Sequence, residues 1–397
     1  MNSKINKEQL SKIIWDSANN ARGNISQEQN KNFLLSLLFY KFLSQKQYNF
    51  LINQLKEYVE NRQPNLDDIN ALNDENFDED GKNKTFNLYS EGYQDIIEAS
   101  KIELGYFIKP RYLFENWANN NTKLEIKEIS DAVQYFYKNL SEQDEIRSLF
   151  EGVFDAYSND IYKLGDPANA TKYLNNILEK IKLISVEQQD FDVLGYIYQY
   201  VIKQFAGQLG KKGGEFFTPS EVSQLMSEIV ARHLQNRQNI SIYDPTSGSG
   251  SLLIKLGDMF AKYSKTKHKV TYYAQEYNSE TYTLSKMNLI MHDINPIDIH
   301  VRNADTLKKD WPFFTKNNDE SSYQLKMVDG VVANPPYSLN WEPDDAIGDP
   351  RFSEYGLAPK SKADYAFVLH SLYHLERDGI MAVVLPHGVL FRGGEWS

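Results

Sequence analysis

The chain has 397 residues, 41% of them hydrophobic and none of them cysteine, which leaves room for two domain cores and excludes disulfides, thiolate nucleophiles and cysteine-based zinc sites. Its formal net charge of −11 argues against a protein that holds nucleic acid unaided, because lysine and arginine supply most of the affinity for phosphates. The sequence has no apolar run near the ~20 residues that span a bilayer and no signal-peptide pattern at its N-terminus, so we expect a cytoplasmic protein that is not bound to a membrane.

The first half of the chain has the apolar spacing of helices. Apolar residues recur at helical intervals in segments such as 32–42 and 132–140. Between these segments, residues 61–85 are polar and strongly acidic, so we expect a surface loop or a poorly ordered connector there. The pattern predicts an α-helical N-terminal domain over residues 1–185.

A further helix is predicted over residues 191–205, and a glycine-rich segment follows it at 207–214. We place the domain boundary just before this helix. The second domain is therefore predicted to cover residues 186–397.

Strand and helix patterns alternate after residue 215. The predicted strands are 240–244, 269–276, 297–301, 327–333 and 379–386, and the helices between them are 251–263, 278–292 and 363–376. This order is typical of an α/β doubly wound fold, in which helices cover both faces of a parallel sheet. Ligands of such folds bind beyond the carboxyl ends of the strands, so the strand-to-helix loops are the candidate sites.

The first candidate site is the loop 244–251, with the sequence DPTSGSGS, between a predicted strand and a predicted helix. Gly248 and Gly250 permit a tight turn whose main-chain N–H groups can approach a ligand. Glu276 ends the next strand 26 residues after Gly250, near the ~20-residue offset at which a carboxylate meets ribose hydroxyls in dinucleotide folds. A short glycine turn alone also fits a nucleotide loop or a simple turn. Because the pyrophosphate and triphosphate patterns are missing, the loop favours a nucleoside without phosphates.

The second candidate site is Asn334-Pro335-Pro336-Tyr337, directly after the fourth predicted strand. The two prolines have no N–H donor and keep the backbone extended, with carbonyl acceptors pointing outward. Beside the Asn334 amide, these acceptors suit a planar NH2 group, and Tyr337 can stack on the ring that carries it. An isolated NPPY is as often a proline turn that merely ends a strand. Its position after the fourth strand, with the Asp244 loop ahead of it, favours the functional interpretation.

These motifs resemble those of the methylase subunits of type I restriction-modification systems, which are S-adenosylmethionine-dependent methyltransferases acting on adenine N6 in DNA. The resemblance covers nearly the whole chain and includes segment 104–114 (LGYFIKPRYLF) in the helical half. Segment 385–395 (LPHGVLFRGGE) is close to diagnostic of this subunit. The resemblance implies a Rossmann-like methyltransferase domain after a helical domain, and an adenine-specific DNA methyltransferase activity.

The resemblance also assigns roles residue by residue. The motif that wraps the methionine part of the cofactor is matched by Asp244, Ser247, Gly248, Ser249 and Gly250. The first cofactor motif, in which Thr218 lies near the methionine end, is matched by Glu215, Phe216, Phe217, Thr218, Pro219 and Ser220. Glu276 matches the acid that binds the ribose, and Asp305 matches the residue at the cofactor's adenine. The catalytic motif is matched by Asn334, Pro335, Pro336 and Tyr337.

The implied mechanism has no covalent enzyme intermediate and needs no metal. Asn334 and the Pro335 carbonyl are expected to hold the amino group of a flipped adenine while the sulfonium methyl transfers in line. The lack of cysteine agrees with this chemistry, since methylation of carbon 5 of cytosine requires a cysteine nucleophile. His370 and His374 share a helix face but lack a third ligand, so we interpret them as a packed or surface pair.

The expected substrate is DNA, and the expected partners are other subunits of the same system. The resemblance implies a specificity subunit, which reads the DNA sequence and binds a pair of methylase subunits, and a restriction subunit. The acidic balance of the chain agrees with a partner that contributes to DNA binding.

The end of the sequence departs from the family, whose fold usually continues past the fifth strand into further strands and a helical region. We therefore expect a methyltransferase domain that is truncated at its C-terminus. Two alternatives stay open. One is an incomplete module that binds the cofactor or a partner without turnover. The other is a methyltransferase for a glutamine side chain in a protein, because NPPY also serves that amide.

Overall fold

The computed structural model describes residues 6–21, 26–56, 59, 61–72, 89–119, 123–158, 167–184, 191–209, 218–264, 268–308, 325–337, 339–353, 356–358, 360 and 362–391. The chain forms two compact units, Met1–Gln208 and Leu209–Ser397. Within the described ranges, none of the helices combines the length and the apolar character that a membrane crossing requires. The predicted domain boundary at residue 186 stays a prediction, and the helix after it belongs to the first unit up to Gln208.

The first unit is built from helices, as predicted. Its described residues contain no strand, only an isolated antiparallel bridge between Tyr106 and Leu140. The helices are α1 (Lys7–Ala21), α2 (Gln27–Leu55), α3 (Leu66–Asn70), α4 (Tyr89–Glu103), α5 (Phe114–Asn119), α6 (Ile126–Lys138), α7 (Asp144–Phe150), α8 (Asp155–Ser158), α9 (Pro167–Ile181) and α10 (Phe191–Leu209).

Helix α2 is the centre of this unit. It starts at a capping box in which the Ser26 hydroxyl accepts from the Gln29 N–H and the Gln29 side chain accepts from the Ser26 N–H. Every residue from Phe33 to Gln45 is buried, so the helix is covered on all faces. A helix that is enclosed in this way must be packed by its neighbours on every side, which explains why its apolar residues run together instead of forming one stripe.

Segment 104–114, one of the stretches that carry the family resemblance, is bonded to α2. The Gln47 side chain accepts from the Ile108 N–H at 2.6 Å and donates to the Ile108 carbonyl at 2.5 Å. The Tyr40 hydroxyl donates to the Tyr112 carbonyl, and the Phe114 N–H donates to the Ser44 hydroxyl. These side chains satisfy backbone groups of a segment that has little regular structure of its own.

The prediction of a surface loop over residues 61–85 was wrong for part of that segment. Helix α3 forms there because the Asn65 side chain accepts from two of its N–H groups, while Asp68 accepts from the Asn65 N–H and pairs with Arg62. Ile69 and Leu72 are buried. The acidic residues that indicated a loop are therefore partly the capping groups of a helix. Residues 73–85 lie outside the described residues.

The second unit contains the predicted parallel sheet. Its strands are β1 (Asn239–Asp244), β2 (Lys269–Glu276), β3 (Ile299–Asn303), β4 (Val328–Ala333) and β5 (Leu375–Val383), and its helices are α11 (Ser220–Leu234), α12 (Ser251–Tyr263), α13 (Ser279–Met291), α14 (Pro350–Ser353) and α15 (Asp364–Tyr373). All pairs are parallel, in the order β3-β2-β1-β4-β5. The order reverses between β1 and β4, which defines the switch point of a doubly wound sheet.

Helices cover both faces of this sheet. Ile242 and Gly330 are register partners and point to one face, where a Cβ on Gly330 would lie 3.1 Å from Val230 of α11. Tyr243, the next residue of β1, points to the opposite face, where its hydroxyl contacts His370 of α15 at 2.8 Å. The doubly wound prediction is confirmed.

Several element boundaries differ from the predictions by one to four residues, and two of these differences have a structural cause. Strand β3 starts at Ile299 instead of residue 297, because the Asn295 side chain caps a 3₁₀ turn over Pro296–Asp298. Helix α15 ends at Tyr373 and β5 starts at Leu375, which was predicted to be helical. The Val328 N–H donates to the His374 carbonyl, so pairing with β4 begins directly where the helix stops.

Candidate functional site

The described candidate residues converge at the carboxyl ends of the strands. The Asp244 loop follows β1, Glu276 ends β2, Asp305 follows β3 and Asn334 follows β4. The loops after β1 and β4 flank the switch point, the position at which a doubly wound sheet opens a crevice for a ligand. The sequence thus predicted the correct edge of the sheet for each of these residues.

The glycine loop has the geometry that its sequence predicted. Gly248 and Gly250 both have positive φ angles, +53° and +77°, which residues with a Cβ rarely adopt. A Cβ on Gly250 would lie 3.0 Å from the Ser285 hydroxyl, whereas the position of a Cβ on Gly248 is open. Gly250 is therefore favoured first by its positive φ angle and in addition by the nearby Ser285 hydroxyl. Gly248 leaves its backbone accessible from the open side of the loop.

Hydrogen bonds join this loop to β2 and to the loop after β3. The Gly248 N–H donates to Glu276 at 2.9 Å, and the Ser247 N–H donates to the Gln275 carbonyl at 2.9 Å. The Thr306 hydroxyl donates to the Pro245 carbonyl at 2.6 Å. The three segments therefore form one connected surface.

Among the described acids of the second unit, Asp244 has the largest pKa shift. Its side chain is 1% exposed. One carboxylate oxygen accepts from the Thr246 N–H at 2.9 Å, and the other, Oδ2, has no hydrogen-bond partner among the described residues. Burial raises the pKa of Asp244 to about 8, with a smaller contribution from the negative charge of Glu276. The Ser247 hydroxyl is likewise buried without a partner in the described part of the chain. Such orphaned acceptors fit a ligand that brings N–H or O–H donors.

Glu276 and Asp305 are held by backbone groups. Glu276 accepts from the Asn278 N–H at 2.8 Å in addition to the Gly248 N–H. Asp305 accepts from the Leu307 N–H at 3.1 Å and lies 3.7 Å from the Lys308 ammonium. Both carboxylates are partly exposed, so a ligand can reach them.

Asn334 is held between two hydroxyl groups. Its amide nitrogen donates to the Thr218 hydroxyl at 2.9 Å, and its amide oxygen accepts from the Tyr337 hydroxyl at 2.7 Å. Pro335 is buried and Pro336 is half-buried. Burial raises the pKa of Tyr337, and the nearby charge of Asp364 raises it further, so the hydroxyl stays a neutral donor. Thr218, assigned to the cofactor, therefore contacts the catalytic motif directly.

The remaining predicted residues lie outside the described residues, at the start of α11 or in the glycine loop. Glu215, Phe216 and Phe217 lie outside the described residues, as do residues 392–395 of the diagnostic segment. Pro219 and Ser220 are exposed, and they form the start of α11, where the Ser223 N–H donates to the Pro219 carbonyl. Ser249 is half-buried, and its hydroxyl lies 2.8 Å from that of Ser251.

The histidine pair belongs to a buried network that the sequence did not indicate. His370 and His374 are 0% and 1% exposed, so the packed interpretation was correct and the surface interpretation was wrong. Burial holds the pKa of His370 well below its usual range and lowers that of His374 to about 4. The Arg351 guanidinium, fully buried, donates to His370 Nδ1 at 3.1 Å. No local motif marks Arg351, because the histidine and the carbonyls that it binds lie 19 to 45 residues away in the sequence.

Comparisons with known proteins identify relatives of both units. The family model of the N-6 DNA methylases matches residues 189–396, and that of the HsdM N-terminal domain matches residues 10–181. The chain is 33% identical to the methylase subunit of the type I restriction enzyme MpnII from Mycoplasma pneumoniae over an alignment of 402 positions, gaps included, that covers 97% of this chain and 69% of that protein. It is 27% identical to the methylase subunit of the enzyme MjaVIII from Methanocaldococcus jannaschii, covering 99% of this chain and 59% of that protein.

A solved structure is similar over the whole chain. The methyltransferase subunit of a type I restriction-modification system from Streptococcus thermophilus superimposes with a TM-score of 0.78 at 34% identity. The match covers 98% of this chain and 76% of that one. The similarity therefore includes the helical unit as well as the sheet.

Proposed function

The chain belongs to the N-6 DNA methylase family and, within it, to the methylase subunits of type I restriction enzymes, and from this premise we propose that it transfers the methyl group of S-adenosylmethionine to the N6 amino group of an adenine in DNA. The observation that carries the proposal is the position of Asn334 at the switch point of the sheet. Its amide is bonded to Thr218 and Tyr337 and follows the strand next to β1, whose loop holds Asp244.

The residues at this edge fit the proposed cofactor. Asp244 and Ser247 offer buried acceptors to its methionine part, together with Gly248, Ser249 and Gly250. Glu276 would accept from the ribose hydroxyls, and Asp305 would contact the adenine. The segment Glu215, Phe216, Phe217, Thr218, Pro219 and Ser220 would complete the site. When bound, S-adenosylmethionine supplies an electrophilic methyl group.

The protein's own part in catalysis is positioning. An adenine inside a duplex is inaccessible, so the base must be extruded to reach Asn334. The Asn334 amide oxygen and the Pro335 carbonyl would then accept the two hydrogens of the amino group, and Tyr337 would stack on the ring. Hydrogen-bond acceptors fixed around the amino nitrogen stabilise the positive charge that develops on it, and they need not reorganise during the reaction.

The acidic balance of the chain suggests how DNA is held. With a net charge of −11, the subunit would repel phosphates at long range, so we propose that a specificity subunit provides much of the DNA contact and selects the sequence. A pair of methylase subunits would bind each specificity subunit, and the restriction subunit would join the same assembly.

Transfer of a labelled methyl group tests the proposal. The purified chain, alone and with a matching specificity subunit, is incubated with methyl-labelled S-adenosylmethionine and either duplex DNA or a glutamine-containing protein. Label is expected at adenine N6. Asn334→Ala should lower the rate at least ~100-fold while the cofactor dissociation constant changes less than about threefold. Asn340→Ala, an exposed amide in the same loop, is the matched control. Label in protein, or loss of cofactor binding in Asn334→Ala, would refute the assignment.

A further inference from the structure

Arg351 is a buried cation at the centre of the second unit. Its side chain is 0% exposed, and it lies in α14, downstream of the catalytic motif. Asp349 accepts from its Nε at 3.0 Å and from its Nη2 at 2.6 Å, which neutralises the charge. This pair accounts for only part of the guanidinium, because an arginine has five N–H donors in a fixed plane.

The remaining donors bind the chain directly after Asp305. Arg351 Nη1 donates to the Thr306 carbonyl at 2.5 Å, and Nη2 donates to the Leu307 carbonyl at 3.4 Å and to the Lys308 carbonyl. The N–H of Leu307 in turn donates to the Asp305 carboxylate. Arg351 thus holds the backbone that orients Asp305.

The same network reaches the glycine loop and the end of β2. The Thr306 hydroxyl donates to the Pro245 carbonyl, which follows Asp244. Because Arg351 donates to His370 Nδ1, the proton of this neutral imidazole lies on Nε2, which faces the Tyr243 hydroxyl at 2.8 Å. Tyr243 then donates to Gln275 at 3.2 Å. The guanidinium therefore connects the loops after β1 and β3 with a residue at the end of β2.

We propose that Arg351 is a positioning residue for the cofactor. It fixes the loop 305–308 so that Asp305 meets the adenine of the cofactor, and it joins this loop, through Thr306, to the Asp244 loop. The proposal rests on the proposed function, because it assumes that the cofactor binds at this edge of the sheet. It adds a residue that touches no ligand and acts through Asp305.

Arg351→Lys is the informative variant. Lysine keeps a positive charge beside Asp349 but has one nitrogen on a flexible stem, so it cannot bind three carbonyls and a carboxylate at once. We expect the dissociation constant and the KM for S-adenosylmethionine to rise roughly 10- to 100-fold, as for loss of an outer partner that orients a ligand-binding group. The kcat at saturating cofactor should stay within about threefold. Arg232→Lys, in an exposed pair with Glu228 on α11, is the control and should change neither constant.

A double-mutant cycle separates positioning from general destabilisation. Asp305→Ala alone should weaken cofactor binding, and Arg351→Lys should weaken binding less in the Asp305→Ala protein than in the unaltered protein, because residues that act through one another are not additive. If Arg351→Lys lowers kcat and raises KM independently of Asp305, or leaves cofactor affinity unchanged, the inference is overturned. Absence of cofactor binding by the unaltered protein would instead refute the proposed function.

Thr306→Val keeps the test available if Arg351→Lys does not fold. Valine has nearly the same shape and lacks only the hydroxyl that donates to Pro245. We expect a cofactor dissociation constant about three to ten times higher, with kcat at saturation unchanged, which corresponds to about one lost hydrogen bond. Thr306→Ser should restore affinity. Equal affinity of the valine and serine variants would contradict the link between the two loops.

Discussion

Binding of S-adenosylmethionine to this protein should release a proton from Asp244. The carboxylate is almost fully buried, which raises its pKa to about 8, so the free protein holds it mainly in the neutral form at lower pH. Its oxygen Oδ2 has no partner among the described residues. A cofactor that carries an ammonium group on its methionine part would pair with the ionised form and therefore drive the proton off.

The size of the effect follows from the pKa. At pH 6.5 a group with a pKa of about 8 is ~97% protonated, and the cofactor's own amino group, with a pKa of ~7.8, would take up ~0.05 proton. The net release is thus about 0.9 proton per cofactor bound. The apparent affinity at this pH should be ~30-fold weaker than for a fully ionised site, or about 2 kcal/mol.

Calorimetric titration at pH 6.5 in buffers of different ionisation enthalpy measures the released proton directly. Ser247→Ala is the matched control, because it changes the same loop without removing a titratable group, and it should release the same ~0.9 proton at lower affinity. Asp244→Asn should release almost none. A release near zero in the unaltered protein would refute the reasoning, because it would mean that the carboxyl is already ionised or stays protonated in the complex.

Substitutions of Tyr337 and His374 test an aromatic group and a second titratable group. Tyr337→Phe keeps the ring but removes the hydroxyl that donates to Asn334, so kcat/KM for methylation should stay within about threefold of the unaltered protein. Tyr337→Ala removes the stacking surface and should lower kcat/KM roughly 5- to 150-fold. Equal losses in the two variants would contradict a stacking role. In the folded protein His374 stays neutral until the pH falls to its pKa of about 4, whereas in the unfolded chain it takes up a proton below pH ~6.5. It therefore contributes stability above pH 6.5 that is lost as the pH falls. When the pH is lowered from 6.5 to 5, the free energy of unfolding of the unaltered protein should therefore fall by ~1.6 kcal/mol more than that of His374→Gln, as measured by denaturant titration. Equal losses in the two proteins would show that His374 does not cause this pH dependence.

The sequence predicted the edge of the sheet on which the site lies, because that prediction needs only local information. Alternating strand and helix patterns place Asp244 and Glu276 at the ends of β1 and β2 and Asn334 directly after β4, and parallel strands end at one edge of the sheet. The requirement for glycine at 250 is also local in origin, since its φ of +77° is part of a tight turn. These features would be expected in any chain with the same order of motifs.

Arg351 and the buried histidines could not be predicted in this way. The carbonyls that Arg351 binds lie 43 to 45 residues earlier in the chain, and their approach depends on how α14 packs beneath the loop after β3. The i,i+4 spacing of His370 and His374 predicts a shared helix face but not which neighbour covers it. Tyr337 is an intermediate case, because its stacking role was expected from the motif, while its hydrogen bond to Asn334 depends on the folded loop.

Asp244 and the histidine pair respond to pH in opposite directions, and the cofactor acts on only one of them. The stability associated with neutral Asp244 is present below its unfolded pKa of 3.8 and is lost as the pH rises through about 8, whereas that of the histidines is present above 6.5 and is lost on acidification. Between about pH 4 and 6.5 the two effects oppose each other, and from 6.5 to 8 only the loss from Asp244 remains. A cofactor that pairs with the ionised carboxylate offsets that loss, so its stabilising effect on the fold should increase with pH over the same interval in which the free protein weakens.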